Sequence, residues 1–223
     1  MNAQESAKRA KDAALRLATL STATKNRALE AIADALIEHR EHILEANRHD
    51  VTQATRLVEC GALAKPLLDA VWPQHAVEKL PWRHVKWAHA DLRVLIDAPD
   101  GDGLACHVGI YFRTVTWNGQ KVHVGGIGGV STRDDCRRRG YASLALDAAM
   151  QTMRANEAVK FAILFCEPHN YAFYEARGWR RFEGEVWCEQ PGGRVRFEAM
   201  TPFVFDIVRA PLKGTIDLCG LPW

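Results

Sequence analysis

No aromatic residue precedes Trp72 in this 223-residue chain, and all seven tryptophans fall from there onward. Other absences exclude whole classes of protein. No apolar run approaches the roughly 20 residues of a membrane-spanning helix. The N-terminal MNAQESAKRAKDAA lacks the apolar centre of a signal peptide. A cytoplasmic chain with no membrane partner is expected. Lys/Arg blocks never exceed Arg137 to Arg139 and the formal net charge is only +2, so no nucleic-acid partner is expected. Cys60, Cys106, Cys136, Cys166, Cys188 and Cys219 form no C-x-x-C pair, which predicts reduced, mostly buried thiols rather than disulfides or zinc. Cys166-x-x-His169 is a lone ligand pair without a second, and no metal is expected. There is no Gly-Lys-Ser/Thr phosphate loop and no G-x-G-x-x-G after a strand, which removes two common nucleotide-binding modes.

What is present is a soluble globular composition, 48% hydrophobic and 25% charged, at a length suited to one domain plus an extension. Residues 1–65 read as a helical extension. Ala10, Ala14 and Leu17, then Leu29, Ile32, Ala33 and Leu36, recur at helical spacing. Ser21 or Thr22 is placed to cap the second helix, and Glu41 to Val58 reads as a third that ends at Gly61. From Pro66 the composition changes, and 66–223 reads as the main domain. Leu67 to Leu80 is a helix broken by Pro73 and Pro81. Arg93 to Asp97, Leu104 to Val115 and Lys121 to Ser131 are expected strands, the last two joined by Asn118-Gly119, a type I′ hairpin signal. A helix from Ala142 follows, then the continuous apolar strand Phe161 to Cys166, a short helix Tyr171 to Arg177, and closing strands Trp179 to Trp187 and Arg194 to Val208.

The centre of the chain is Val122 to Met150. A strand carrying Gly125, Gly126, Gly128 and Gly129 leads through Arg137-Arg138-Arg139-Gly140 into a helix. Free N–H groups at a helix start, with positive charge around them, suit a phosphate or pyrophosphate. Glycines crowded in a strand signal a bulge or a close approach.

Arg137-x-x-Gly140-x-Ala142 resembles the Q/R-x-x-G-x-G/A signature of the GCN5-related N-acetyltransferases, or GNAT family. Asn170-Tyr-Ala-Phe-Tyr174-Glu-Ala-Arg-Gly178-Trp179 is similar to a second segment of that family, with one residue fewer between Asn and Tyr. The resemblance implies an α/β layered GNAT fold, a mixed and mostly antiparallel sheet flanked by helices, and acetyl-coenzyme A as cofactor. It implies that Val130 and Thr132 meet the pantetheine arm, and that Arg137, Arg138, Arg139, Gly140, Tyr141, Ala142 and Ser143 grip the pyrophosphate. Asn170 and Phe173 would also face the cofactor. Tyr174 is the expected acid for the departing thiolate and Glu167 the expected base, with His169 its rival.

The tail Gly214 to Trp223 and the Tyr174 to Trp179 segment resemble aminoglycoside 2′-N-acetyltransferases, although Gly128 stands where that subgroup carries a glutamate. This implies a small polycationic amine as acceptor, most simply an aminoglycoside, held by Glu167, Glu198, Asp217 and the terminal carboxylate of Trp223. A polyamine, amino acid or protein amine is the alternative within the fold, and a coenzyme A-binding module without turnover the alternative outside it. Residues from about Ala7 to Leu68 resemble the first helices of gamma-glutamyl phosphate reductase, without that enzyme's dinucleotide-binding or catalytic-cysteine segments. This leader is read as a fused helical segment, with an oligomerisation arm, and so a homodimer, as the alternative.

Overall fold

The computed structural model describes Lys11, Ala13 and residues 20–223, with backbone alone at residues 46 and 49–58. The helix expected through Ala10, Ala14 and Leu17 lies outside the described residues. The chain divides into two compact units that meet between Thr55 and Arg56.

In the first unit Ser21 caps α1 (Thr22–Glu38), its hydroxyl accepting the Thr24 N–H at 3.2 Å. Leu29, Ile32 and Leu36 recur along α1 as the spacing predicts, and all three are exposed. The following helix, α2 (Arg40–Val71), does not use the expected stop at Gly61. Glycine costs a helix only about 1 kcal/mol, and just past it Ala64 and Leu67 are buried, which favours another turn. Pro66 sits inside this extension. It removes one intrahelical hydrogen bond there.

In the second unit Pro73 starts the single turn α3 (Gln74–Val77). The strands are β1 (Leu92–Asp97), β2 (Leu104–Trp117), β3 (Gln120–Thr132), β4 (Phe161–Cys166), β5 (Arg180–Arg181), β6 (Glu183–Gln190), β7 (Gly193–Arg196), β8 (Thr201–Asp206) and β9 (Lys213–Asp217). They form one mixed sheet in the order β5-β8-β4-β3-β2-β9-β6-β7, with β1 also on β2. Only β3 with β4 and β6 with β9 are parallel. Asn118 and Gly119 turn the β2–β3 hairpin with φ of 48° and 80°, as a type I′ turn requires.

Two helices follow from the central motifs: α4 (Tyr141–Ala155) and α5 (Tyr171–Glu175). The ladder of β4 shows the strand period directly. Ala162, Leu164 and Cys166 join the core under α4, while Phe161, Ile163 and Phe165 join the core on the other face. That second core is closed by the chain's tail, and Trp223 is only 4% exposed within it.

The C-terminal third departs from the two expected strands. Phe197 turns inward between β7 and β8, its N–H bonding Val186, so the segment serves two separate pairings: β7 with β6, and β8 with β4. The tail contributes a strand the pattern did not show. β9 lies between β2 and β6, pairing Thr116 with Asp217 and Val186 with Ile216. A five-residue run with one inward apolar residue carries no strand signal of its own; its partners supply it.

Candidate functional site

β3 and β4 pair only from Val124↔Phe161 to Ile127↔Leu164. Beyond this, β3 continues to Thr132 on β2, and β4 continues to Cys166 on β8. The two parallel strands therefore part. A bulge accompanies the parting: between the pairs Gly109↔Gly128 and His107↔Ser131, β3 sets Gly129 and Val130 against the single residue Val108, with Gly129 at φ 59°. A cavity of about 410 Å³ opens here.

One wall comes from Gly128, Gly129 and Val130 of β3, from Cys166 and Glu167 at the end of β4, and from Asn170 and Tyr174 of the following turn and helix. The Tyr174 ring is buried, and among the described residues its hydroxyl has no hydrogen-bond partner. Burial pushes its pKa up, so the phenol keeps its proton at any physiological pH. Glu167 lies on the wall, as expected. His169, the rival base, lines the same cavity; it is exposed, and Nε2 of its ring accepts from Asn170 Nδ2 at 3.1 Å.

Trp72, Trp82, Trp87, Tyr111 and Trp223 also line the cavity. Trp223 stacks on Tyr111 at 5.5 Å, donates Nε1–H to the Ile163 carbonyl at 3.2 Å, and lies under Arg113 at 5.0 Å. It also explains the glycines. A Cβ on Gly126 would lie 2.3 Å from the Trp223 ring, and one on Gly128 would lie 2.9 Å from its main-chain carbon. On the other face, a Cβ on Gly125 would meet Met153 of α4 at 2.5 Å. The strand is bare because both of its faces are occupied to contact.

At the mouth of α4, Gly140 has φ 87° and supplies no side-chain cap, and open space lies where its Cβ would be. The first intrahelical bond runs from Leu144 N–H to the Gly140 carbonyl, which leaves the N–H groups of Tyr141, Ala142 and Ser143 without helical partners. Arg138 and Arg139 are exposed beside them, while Arg137 is held by Asp134 at 2.7 Å and by the Thr132 carbonyl at 3.3 Å. Arg177, which no motif singled out, lies over the Phe173 ring at 3.8 Å and donates to the Ser143 hydroxyl. A diphosphate fits this cradle: it is open, lined by N–H donors, and positively charged.

Two expected acceptor carboxylates are elsewhere. Asp217 on β9 binds Arg194 at 2.5 Å and the Cys219 N–H at 2.8 Å. Glu198 is exposed and pairs with Arg196 at 3.3 Å. Neither lines the cavity: β9 lies beyond β2 in the sheet order, away from the β3–β4 gap, and the Glu198 side chain is turned to solvent and Arg196, although Met200 two residues on does reach the wall. In their place the cavity wall holds Arg93 and His107, which sequence reasoning missed. A histidine or arginine in an alternating strand gives no signal of its own.

Residues 62–182 match the family model described as "Acetyltransferase (GNAT) domain", and the chain belongs to that family. Among solved structures it is similar to the GNAT family N-acetyltransferase YhbS of Escherichia coli in complex with CoA (13% identity, 57% of this chain and 67% of that one, TM-score 0.40). It is also similar to a GCN5-related N-acetyltransferase of Anabaena variabilis (15% identity, 54% and 29%, TM-score 0.40). The curated relatives are of another kind. Gamma-glutamyl phosphate reductase of Synechococcus sp. (strain JA-2-3B'a(2-13)) is 54% identical over 55 residues, 25% of this chain and 12% of that protein. The Methanosarcina mazei enzyme is 48% identical over 61 residues, 27% and 14%. The match spans about an eighth of these reductases' length.

Proposed function

We propose that this chain transfers the acetyl group of acetyl-coenzyme A directly to the amine of a small acceptor seated in the 410 Å³ cavity. The observation that carries this reading is the parting of β3 and β4 with Tyr174 on the wall of the gap. The bound cofactor supplies an activated acetyl thioester. Tyr141 to Ser143 and the arginines before them hold its diphosphate, with Arg177 fixing the helix start through Ser143. Asn170, Phe173, Val130 and Thr132 would flank its pantetheine arm, and a backbone N–H at the bulge would serve as donor to the thioester carbonyl, where negative charge grows. As the N–C bond forms and the C–S bond breaks, Glu167 takes the proton the amine loses, and the Tyr174 phenol gives its proton to the thiolate.

The narrower reading of an aminoglycoside acceptor retains two of its four residues on the cavity wall, Glu167 and Trp223, and lacks two, since Glu198 and Asp217 are engaged with arginines elsewhere. Glu167 is the one acidic side chain on that wall. A polycation needs several. Release of free thiol from acetyl-coenzyme A, measured with a panel of amines, tests the reading. Release that depends on the amine supports transfer; binding of coenzyme A without release by any amine would leave a binding module instead.

A further inference from the structure

Among the described residues, three buried side-chain polar atoms have no hydrogen-bond partner: Trp82 Nε1, Arg93 Nε and His107 Nε2. All three residues line the same cavity. Unpaired buried polar atoms are rare in folded proteins and destabilising, so three around one cavity call for a ligand that pairs them. Their chemistry is defined. The Trp82 and Arg93 atoms are donors only. His107 Nδ1 lies 2.7 Å from the Gly129 carbonyl, which can only accept; Nδ1 therefore carries the proton and Nε2 of the neutral ring is an acceptor. Burial lowers the His107 pKa, and the nearby Arg93 charge adds to that, so the neutral ring persists at physiological pH. Arg93 itself has no carboxylate partner among the described residues.

From these atoms we infer that the acceptor is an α-amino acid with an aromatic side chain. The inference rests on the acetyltransferase reading above and narrows its substrate. The carboxylate would take the Arg93 and Trp82 donors, and the amine would present an N–H to His107 Nε2. That places the amine beside the Gly129 bulge, where the thioester is expected. The ring would lie among Trp72, Trp87, Trp223 and Met200, which also line the cavity. An aminoglycoside would set several ammonium groups beside the Arg93 cation, with Glu167 as the one acidic side chain to meet them. An aromatic amine without a carboxylate would leave both donors unpaired.

The test compares L-phenylalanine and L-tryptophan with phenethylamine and kanamycin, in thiol release by the intact protein and in calorimetric binding with coenzyme A present. A site built around polar partners rejects an analogue lacking them strongly, so kcat/KM for an amino acid should exceed that for phenethylamine by at least about 10²-fold. Arg93→Gln should collapse that ratio by raising the amino acid KM, whereas a purely structural role would lower both substrates alike. Trp82→Phe keeps a ring and removes only the donor, and should shift the ratio the same way if Arg93→Gln does not fold. Equal or better turnover of phenethylamine or kanamycin overturns the amino-acid inference and leaves acetyl transfer standing. If no amine releases thiol, the transfer reading fails, and calorimetry alone decides the other: no heat with either amino acid refutes it.

Discussion

Gly126→Ala is the sharpest test of how the tail builds the site. The added Cβ would lie 2.3 Å from the Trp223 ring, with two further ring atoms at 2.5 and 2.8 Å. No real Cβ tolerates this, so the indole must move. Moving it disturbs the Tyr111 stack, the Nε1–H bond to Ile163 and the packing against Phe165. Overpacking a core costs about 1–3 kcal/mol, and losing the hydrogen bond adds about 1 kcal/mol. A total of about 3 kcal/mol corresponds to a fall in Tm on the order of 10 °C for a unit of this size. Because all seven tryptophans lie from Trp72 onward, indole fluorescence reports this unit alone. The control is the double variant. Trp223→Ala should itself cost about 3–5 kcal/mol, but in that background Gly126→Ala should cost almost nothing, since the clash is gone. The coupling would then be about 2–3 kcal/mol, as for residues in direct contact. An equal cost of Gly126→Ala in both backgrounds would refute the claim that Trp223 is what requires a glycine there.

Three further outcomes follow from the site. Tyr174→Phe keeps the ring packing and removes the proton, so kcat should fall about 10²–10⁴-fold while the Tm increase caused by acetyl-coenzyme A is retained; full activity would move proton delivery to solvent. Gly140→Asp puts a negative side chain into the open cradle at φ 87°, and the cofactor-induced Tm increase should vanish; an unchanged increase would place the diphosphate elsewhere. The pKa of His107 is lowered in the fold, so its unfolded form binds a proton first, and stability present above about pH 6.5 is lost as pH falls toward the folded value. In His107→Gln the Tm should decline less between pH 7.5 and 5 than in the parent, and parallel pH profiles would show that the ring is not held neutral.

The sequence by itself determined the elements with strong local signals. Phe161 to Cys166 is apolar at every position and forms a strand with those bounds; Asn118-Gly119 sets its own turn; Arg137 to Ala142 announces a helix start through one glycine, and the helix begins at Tyr141. The reductase-like leader was also legible, because a run of 55 residues at 54% identity is a matter of sequence alone. Tertiary structure decided what depended on partners distant in the chain. Gly126 is bare because of Trp223, 97 residues later, and no pattern within the strand reports that contact. Asp217 and Glu198 are ordinary acidic residues until the fold leaves each beside an arginine rather than at the cavity. Trp82, Arg93 and His107 are separated in sequence and share one cavity only after β1 and β2 pair and the segment before them folds over the gap. Local propensity acts through neighbours along the chain, whereas an unpaired donor becomes meaningful only when folding removes the water that would have paired it.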